Sequence, residues 1–423
     1  MKTSNTVSRF ALSLALAVAI AGVGSVIAPA GISSALAAEK PPTVSPAVGK
    51  PLQEAQTLLK GGKPKEAAAK AQEAAAAAKS PYEIYVANEI LGAAQLQAKD
   101  YAALAKAFET SLNSGYMQGA EKTARLKALT QVYYQTKNYP KTIEMATAYL
   151  KESPSDTEIP VLIAQSYYLQ NNFKQAADYL RGVVKASDAA GKPVKEETLN
   201  LLMSADYQLK NDDSVRQDLE LLVARYPKPQ YMKDLVSMYE KSLRANNATT
   251  KTTLDVFVIK FNAGLITTAS DYAGLAELAL QDGLPGLAKK VLDKGMAEGV
   301  LGTGATKDRE ARMLTMANTQ AGTDQKGLAA GEAEAAKAKT GEALIKYGEA
   351  YATYGMLDKA VAATEAGVAK GVADKDDGQL RLGIVFLQAG MRAKALEAFK
   401  AITPGTPSAQ VAALWKLQKI SNT

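Results

Sequence analysis

The chain has 423 residues, with 50 Lys and Arg against 43 Asp and Glu, 47% hydrophobic residues, and neither cysteine nor histidine. Without cysteine there is no disulfide, thiolate nucleophile or zinc finger; without histidine there is no imidazole base, His-bound metal or Ser-His-Asp triad. The length and the ordinary apolar and charged content suit a large folded chain rather than a disordered one.

The first segment reads as an address. Lys2 and Arg9 precede an apolar run from Phe10 to Ala28; Pro29 follows, and Ala35-Leu36-Ala37 has the small-x-small pattern of a signal-peptidase site. Residues 1–38 are therefore expected to be a signal peptide and 39–47 a linker. Cleavage lowers the formal charge from +7 to +5, since Lys2 and Arg9 leave 48 basic against 43 acidic residues. The competing expectation is an uncleaved anchor, because the run approaches the roughly 20 residues that cross a bilayer. Gly22, Gly24 and Pro29 interrupt it and favour cleavage. No later segment is long and apolar enough to span a membrane, so the mature chain is expected to be exported and periplasmic, with secretion or N-terminal anchoring as the alternatives.

From there the sequence repeats. Leu91-Gly92 with Asp100-Tyr101 and Phe108 is followed by Leu129-Thr130, Tyr133, Asn138-Tyr139 and Pro154, then by Ile163-Ala164, Tyr167, Asn172-Phe173 and Ala176. The frame returns as Leu275-Ala276, Ala279, Gly283 and Ala288; as Tyr347-Gly348, Tyr351, Gly355, Leu357 and Ala360; and as Leu382-Gly383, Phe386, Gly390, Ala395, Phe399 and Pro407. Ala164 lies 34 residues after Thr130 and Gly383 lies 35 after Gly348. The 72 residues from Ala276 to Gly348 fit two periods and imply a degenerate unit around Arg309 to Lys339. Further degenerate units are expected around Tyr231 to Phe261 and from Gly49 to Lys79, for about ten units in all.

Each unit predicts two helices. Leu129, Val132 and Tyr133 mark one at helical spacing; Tyr139, Ile143, Ala146 and Leu150 mark the next, across a short turn of Gly, Asn or Asp followed by an apolar residue. Small residues at Gly92, Ala164, Gly348 and Gly383 let the two helices approach closely. A hairpin of this kind cannot bury its apolar face alone, so it stacks on its neighbour. These frames resemble the tetratricopeptide repeat (TPR) family, over roughly 85–90% of the chain as an arrangement and about half of it in strong motifs. The resemblance implies an all-α fold, an α-solenoid of antiparallel helix pairs wound as a right-handed TPR-like superhelix with an inner groove.

The expected organisation is N-terminal repeats over 48–240, an irregular repeat or hinge over 241–268, C-terminal repeats over 269–406 and a capping helix over 407–423. The hinge expectation rests on the polar stretch Ala245-Asn246-Asn247-Ala248-Thr249-Thr250. After it, Leu254 to Ile259 is β-branched enough to suit a strand as well as a helix. Val411, Leu414 and Trp415 put one apolar face on the last helix.

Enzyme motifs fail one by one. Gly49-Lys50, Gly62-Lys63 and Gly191-Lys192 are each followed by proline where a phosphate loop needs Ser or Thr. Lys339-Thr340-Gly341 has no Ser-x-x-Lys to accompany it. Asp374-Lys375-Asp376-Asp377-Gly378 lacks the EF-hand spacing and reads as helix capping. No enzyme, cofactor or metal site is predicted. No aromatic–arginine interleaving marks a nucleic-acid surface, and nucleic acid is not expected as a partner.

The tyrosines point elsewhere. Of 19, 15 lie between Tyr82 and Tyr239, and the doublets Tyr133-Tyr134 and Tyr167-Tyr168 fall at equivalent places in adjacent units. The first of each doublet takes the core position; the second falls on the groove side with Lys127, Gln131 and Gln135 in one unit and Gln165 in the next. In the family resembled, such positions contact extended or helical peptides. Tyrosine joins a large apolar body to a hydrogen-bonding tip, and amides pair with peptide backbone. The expected function is a non-catalytic protein–protein interaction scaffold or adaptor in a bacterial-type envelope, with Lys127, Gln131, Tyr134, Gln135, Gln165 and Tyr168 holding a segment of an envelope protein. The alternative is an envelope polysaccharide- or peptidoglycan-binding module, acidic polysaccharide being one such ligand.

Overall fold

A computed structural model describes residues 42–245 and 249–418. The expected signal peptide, the first residues of the linker, Asn246 to Ala248 of the polar interruption and the last five residues lie outside the described residues. Among those described there are twenty α-helices, one short 3₁₀ turn and no strand.

The chain forms two compact units, the first ending at Lys185 and the second beginning at Ala186. The first holds helix pairs α1 (Pro46–Lys60) and α2 (Pro64–Ala77), α3 (Pro81–Gln97) and α4 (Tyr101–Asn113), α5 (Gly119–Gln135) and α6 (Tyr139–Glu152), then α7 (Ile159–Leu169) and most of α8 (Phe173–Ala189). The second holds α9 (Glu196–Gln208) and α10 (Asp212–Arg225), α11 (Pro229–Ala245) and α12 (Thr250–Asn262), α13 (Ala269–Gln281) and α14 (Pro285–Ala297). Next come α15 (Lys307–Ala335), α16 (Glu342–Thr353) and α17 (Leu357–Lys370), α18 (Lys375–Gln388) and α19 (Arg392–Lys400), and finally α20 (Pro407–Lys416). The architecture is the all-α solenoid of antiparallel helix pairs that the sequence frames imply. The stretch Leu254 to Ile259 is helical, inside α12.

One turn geometry joins most successive helices. At Lys99, Lys137, Asn171 and Lys210 the backbone is left-handed, with φ of 56–60°, and glycine does the same at 62, 264, 283, 355 and 390. In each, the N–H of this residue bonds three residues back and the next N–H bonds five residues back, as in Lys137 N–H to Tyr134 O at 3.1 Å and Asn138 N–H to Tyr133 O at 2.8 Å. This closes the first helix with a Schellman motif. Where Asp or Asn follows, its side chain caps the second helix: Asp100 Oδ1 accepts from Ala103 N–H at 3.0 Å, and Asn138 and Asn211 do the same for Lys141 and Ser214. The recurring Asp/Asn-plus-aromatic signature is thus a helix stop and a helix start compressed into two residues.

Packing within a pair explains the small residues. A methyl group on Gly92 would collide with Phe108, on Gly348 with Thr364 and on Gly383 with Phe399. Each partner lies sixteen residues on, the same offset in three hairpins. Ala164 stands at the equivalent place in its hairpin and is fully buried.

The unit expected around Arg309 to Lys339 differs: it is one continuous helix of 29 residues, α15. Its middle is pinned along its neighbour as a single rod. The Tyr354 hydroxyl donates to the Ala321 carbonyl at 3.2 Å and to Asp324 Oδ2 at 2.7 Å, and Gly331 leaves room for Tyr347. Gly322 and Gly327 therefore stay helical.

The second unit also closes on itself. α20 packs mainly on α18, as the next helix of a solenoid should, and also against α12, with lighter contact to α11 and α19. Trp415 of α20 is 1% exposed.

Candidate functional site

The face predicted from the sequence lies on α5 and α7, held in register by the turns at Lys137 and Asn171. Tyr134 and Tyr168 each stand three residues before the left-handed residue, and each carbonyl accepts a turn N–H, at 3.1 and 2.9 Å. Tyr133 is buried and donates its hydroxyl to Glu109 at 2.5 Å. Tyr167 is half-buried against Tyr179. Tyr134, beside buried Tyr133, is half-buried, whereas Tyr167 and Tyr168 are both half-buried.

The structure joins two of the predicted residues directly: Tyr134 donates its hydroxyl to Gln165 Oε1 at 3.0 Å, bridging α5 and α7. The Tyr134 ring stands edge-on to Tyr139 at 6.0 Å, and that of Tyr168 edge-on to Phe173 at 5.1 Å. Burial, with Tyr139 adding to it, raises the Tyr134 hydroxyl above its ordinary pKa, so it remains a donor. Lys127 is drawn aside, with Nζ donating to Asp156 Oδ2 at 2.8 Å. Against the opposing effect of burial, Lys127, the Ile159 and Glu158 amides and the Tyr149 hydroxyl hold Asp156 at about 2. The amides of half-buried Gln131 and exposed Gln135 make no hydrogen bond among the described residues, and Leu169, next to Tyr168, is 46% exposed.

Sequence reasoning missed Tyr207. It stands three residues before the left-handed Lys210 in its own hairpin and is 59% exposed, the most exposed large hydrophobic side chain among the described residues. The Lys210-Asn211 pair, which repeats the turn signature without a following aromatic, was the signal.

It also missed a buried charged cluster in the second unit. Arg381 of α18 donates to both oxygens of Asp255 on α12, Nη1 to Oδ1 at 2.6 Å and Nη2 to Oδ2 at 2.5 Å. Its Nε donates to Asp377 Oδ1 at 2.9 Å, and Nη1 lies 3.3 Å from Glu349 Oε1 on α16. Lys251 of α12 completes the group, 3.0 Å from Asp377 and 3.7 Å from Glu349. Arg381 and Asp255 are 6% and 7% exposed. Burial raises the Glu349 carboxyl; Arg381 and Lys251 oppose this, and Asp255 and Asp377 reinforce it. Beside the cluster is a cavity of about 110 Å³, bordered by Lys251, Glu349, Arg381, Gln388 and Trp415 among others. The cluster ties three helices together and offers solvent no free acid–base pair. The capping expected of the Asp374–Asp377 stretch is present, with Asp374 Oδ1 accepting from Asp377 N–H at 2.9 Å, and Asp377 serves the clasp as well. An acid within Leu254–Ile259 and an arginine within Leu380–Leu387 were visible as charges inside apolar runs; that they meet was not.

Helix pairs with a recurring turn geometry and packing offset define an all-α helical-repeat protein. No protein-family model and no curated protein matches the chain. Solved structures similar to it include Naa15/Naa10 bound to HypK-THB, at 16% identity over 86% of this chain and 65% of that one, just under two-thirds, with a TM-score of 0.30. A tetratricopeptide repeat protein from Parabacteroides merdae is 14% identical over 64% of this chain and 99% of its own, with a TM-score of 0.30. The TPR2AB domain of yeast Sti1 in complex with pHSP90 is 12% identical over 71% and 99%, with a TM-score of 0.26. No helix among the described residues is long and apolar enough to cross a membrane.

Proposed function

We propose that this chain is a non-catalytic interaction scaffold, exported to a bacterial-type envelope, whose first unit holds an extended or helical segment of a partner protein on the α5–α7 face. The observation that carries the reading is the Tyr134–Gln165 bridge. It fixes the Tyr134 ring and the Gln165 amide across adjacent helices, while Gln131, Gln135 and Leu169 stay available to a ligand. Rigid tyrosines supply contact area at little entropic cost, and amides with no internal partner can pair with peptide backbone. The leader-like residues 1–38 support export, and the closing of each helix pair on its neighbours supports a structural role for most side chains.

The test is capture of partners from envelope extracts by wild type, by Tyr134→Ala/Tyr168→Ala and by Gln131→Ala/Gln135→Ala, the last removing groups with no structural partner. Loss of the same protein partner in both variants is the expected result. Binding of purified polysaccharide or peptidoglycan without a protein partner favours the module alternative and overturns this reading, as does full retention of every partner by both variants.

A further inference from the structure

We infer that the α5–α7 face takes its partner as an uncharged, proline-rich segment in the polyproline II conformation, with one apolar contact per helix hairpin. This rests on the reading of that face given above and names its occupant.

The rings recur in register. Tyr134 stands three residues before the left-handed Lys137 and Tyr139 two after it; Tyr168 and Phe173 hold the same places around Asn171. Each pair meets edge to face, at 62° and 69°, and all four rings are half-buried, so each turn presents a step of two crossed rings. Leu96 and Tyr101, both half-buried, take these places around Lys99 in the hairpin before. Three consecutive hairpins of the first unit therefore carry an apolar step at the same turn.

The repeat distance selects the ligand. Packed helices lie about 8–10 Å apart, and steps on successive hairpins are spaced on that scale. A polyproline II segment shows the same edge every three residues, about 9.3 Å, whereas a strand repeats its face every ~6.7 Å and an α-helix turns every ~5.4 Å. Only the first meets a new step with each successive repeat, and crossed aromatic rings are the surface on which such segments dock.

Hydrogen bonding and charge agree with the spacing. Proline has no N–H, so a proline-rich backbone offers mainly carbonyl acceptors, and in this conformation they carry no internal bond. The face supplies donors: the Gln131 and Gln135 amides and the Tyr139 and Tyr168 hydroxyls make no hydrogen bond among the described residues. Among the residues predicted for the face only Lys127 is charged, and its Nζ lies 2.8 Å from Asp156 Oδ2. With that charge already matched, the complement is a segment without charge.

The probe is acetylated, amidated decaproline, titrated calorimetrically into the full chain beside a Gly-Ser peptide and an alanine-based helical peptide of equal length. Saturable binding of decaproline alone is expected, changing less than about twofold between low and high salt. Tyr168→Ala should weaken it at least about tenfold and Gln131→Ala/Gln135→Ala several-fold. The glutamine variant removes no internal bond, so it decides should Tyr168→Ala fail to fold. No binding of decaproline at millimolar concentration, binding that neither variant weakens, or a steep loss with salt overturns the proposal. The two readings fail separately. Decaproline silent while a captured protein partner still depends on Tyr134 and Tyr168, or the helical peptide bound in its place, overturns the polyproline II occupant and leaves the face standing.

Discussion

Arg381 and Asp255 lie 126 residues apart in sequence, yet their side chains meet fork to fork, both almost wholly buried. A planar guanidinium and a carboxylate match bidentately, while Nε donates to Asp377 and Nη1 also faces Glu349. Breaking one side of such a pair is costly because the other charge stays buried. Asp255→Ala is expected to destabilise the second unit by about 3–5 kcal/mol, whereas Asp255→Leu/Arg381→Met should recover most of that loss. Urea unfolding followed by circular dichroism measures both. If the double variant proves no more stable than Asp255→Ala, the cost lies in packing rather than in the orphaned charge.

Close helix approach makes a second prediction. Gly383→Ala forces a methyl group against the Phe399 ring and is expected to cost about 1–3 kcal/mol. Gly322→Ala, in the middle of α15, meets nothing within 4 Å and should stabilise by about 0.5–1 kcal/mol, the ordinary gain of alanine in a helix. Thermal midpoints moving in opposite directions are the expected readout.

These two glycines also show what the sequence discloses. Gly383 was legible because the frame around it recurs and its partner sits at a fixed offset; local rules of turn and cap then determine the pair. Gly322 belongs to α15, where the period continues but no hairpin forms. That outcome depends on Tyr354 and Tyr347 of a neighbouring element, which no local pattern encodes. That the doublets recur on α5 and α7 was legible from the period, but the Lys127–Asp156 contact that draws Lys127 aside comes from the loop before α7. The clasp was illegible for a stronger reason: Asp255 and Arg381 meet only because α20 and α18 return to α11 and α12, and repeat periodicity does not state how tightly a solenoid curves.

The turns offer a third test. Lys137 holds φ at 60°, a conformation in which a Cβ crowds the backbone at a cost of roughly 1–2 kcal/mol, whereas glycine enters it freely. Glycine also loses more entropy on folding, so Lys137→Gly is expected to stabilise by up to about 1 kcal/mol, and Lys137→Val to destabilise by more than that. Urea midpoints of the two variants should bracket wild type. A destabilised Lys137→Gly would show that the lysine side chain contributes packing beyond its place in the turn.

Two carboxyls should give the protein opposing responses to acid. Asp156 is held at about 2 in the fold against 3.8 ordinarily, so between those values the unfolded chain binds more protons. Its contribution is complete above about pH 4 and disappears as pH falls through about 2, amounting to about 1–2 kcal/mol once screening at the partly exposed Lys127 is allowed for. Glu349 is shifted upward from 4.5, so the folded state is the one that binds more protons. Acidification from neutrality through its folded value down to 4.5 therefore adds stability to the second unit. Glu349→Gln keeps the shape and removes the titration: it should match or exceed wild type at pH 7 and lose the gain on mild acidification. Asp156→Asn should be weaker than wild type at pH 7 and converge with it near pH 2. Unfolding midpoints of the three proteins across pH 2–8 separate the two effects. A Glu349→Gln protein much weaker than wild type at neutral pH would mean that Glu349 works as an anion for Arg381, and that the clasp holds all three of its carboxylates charged.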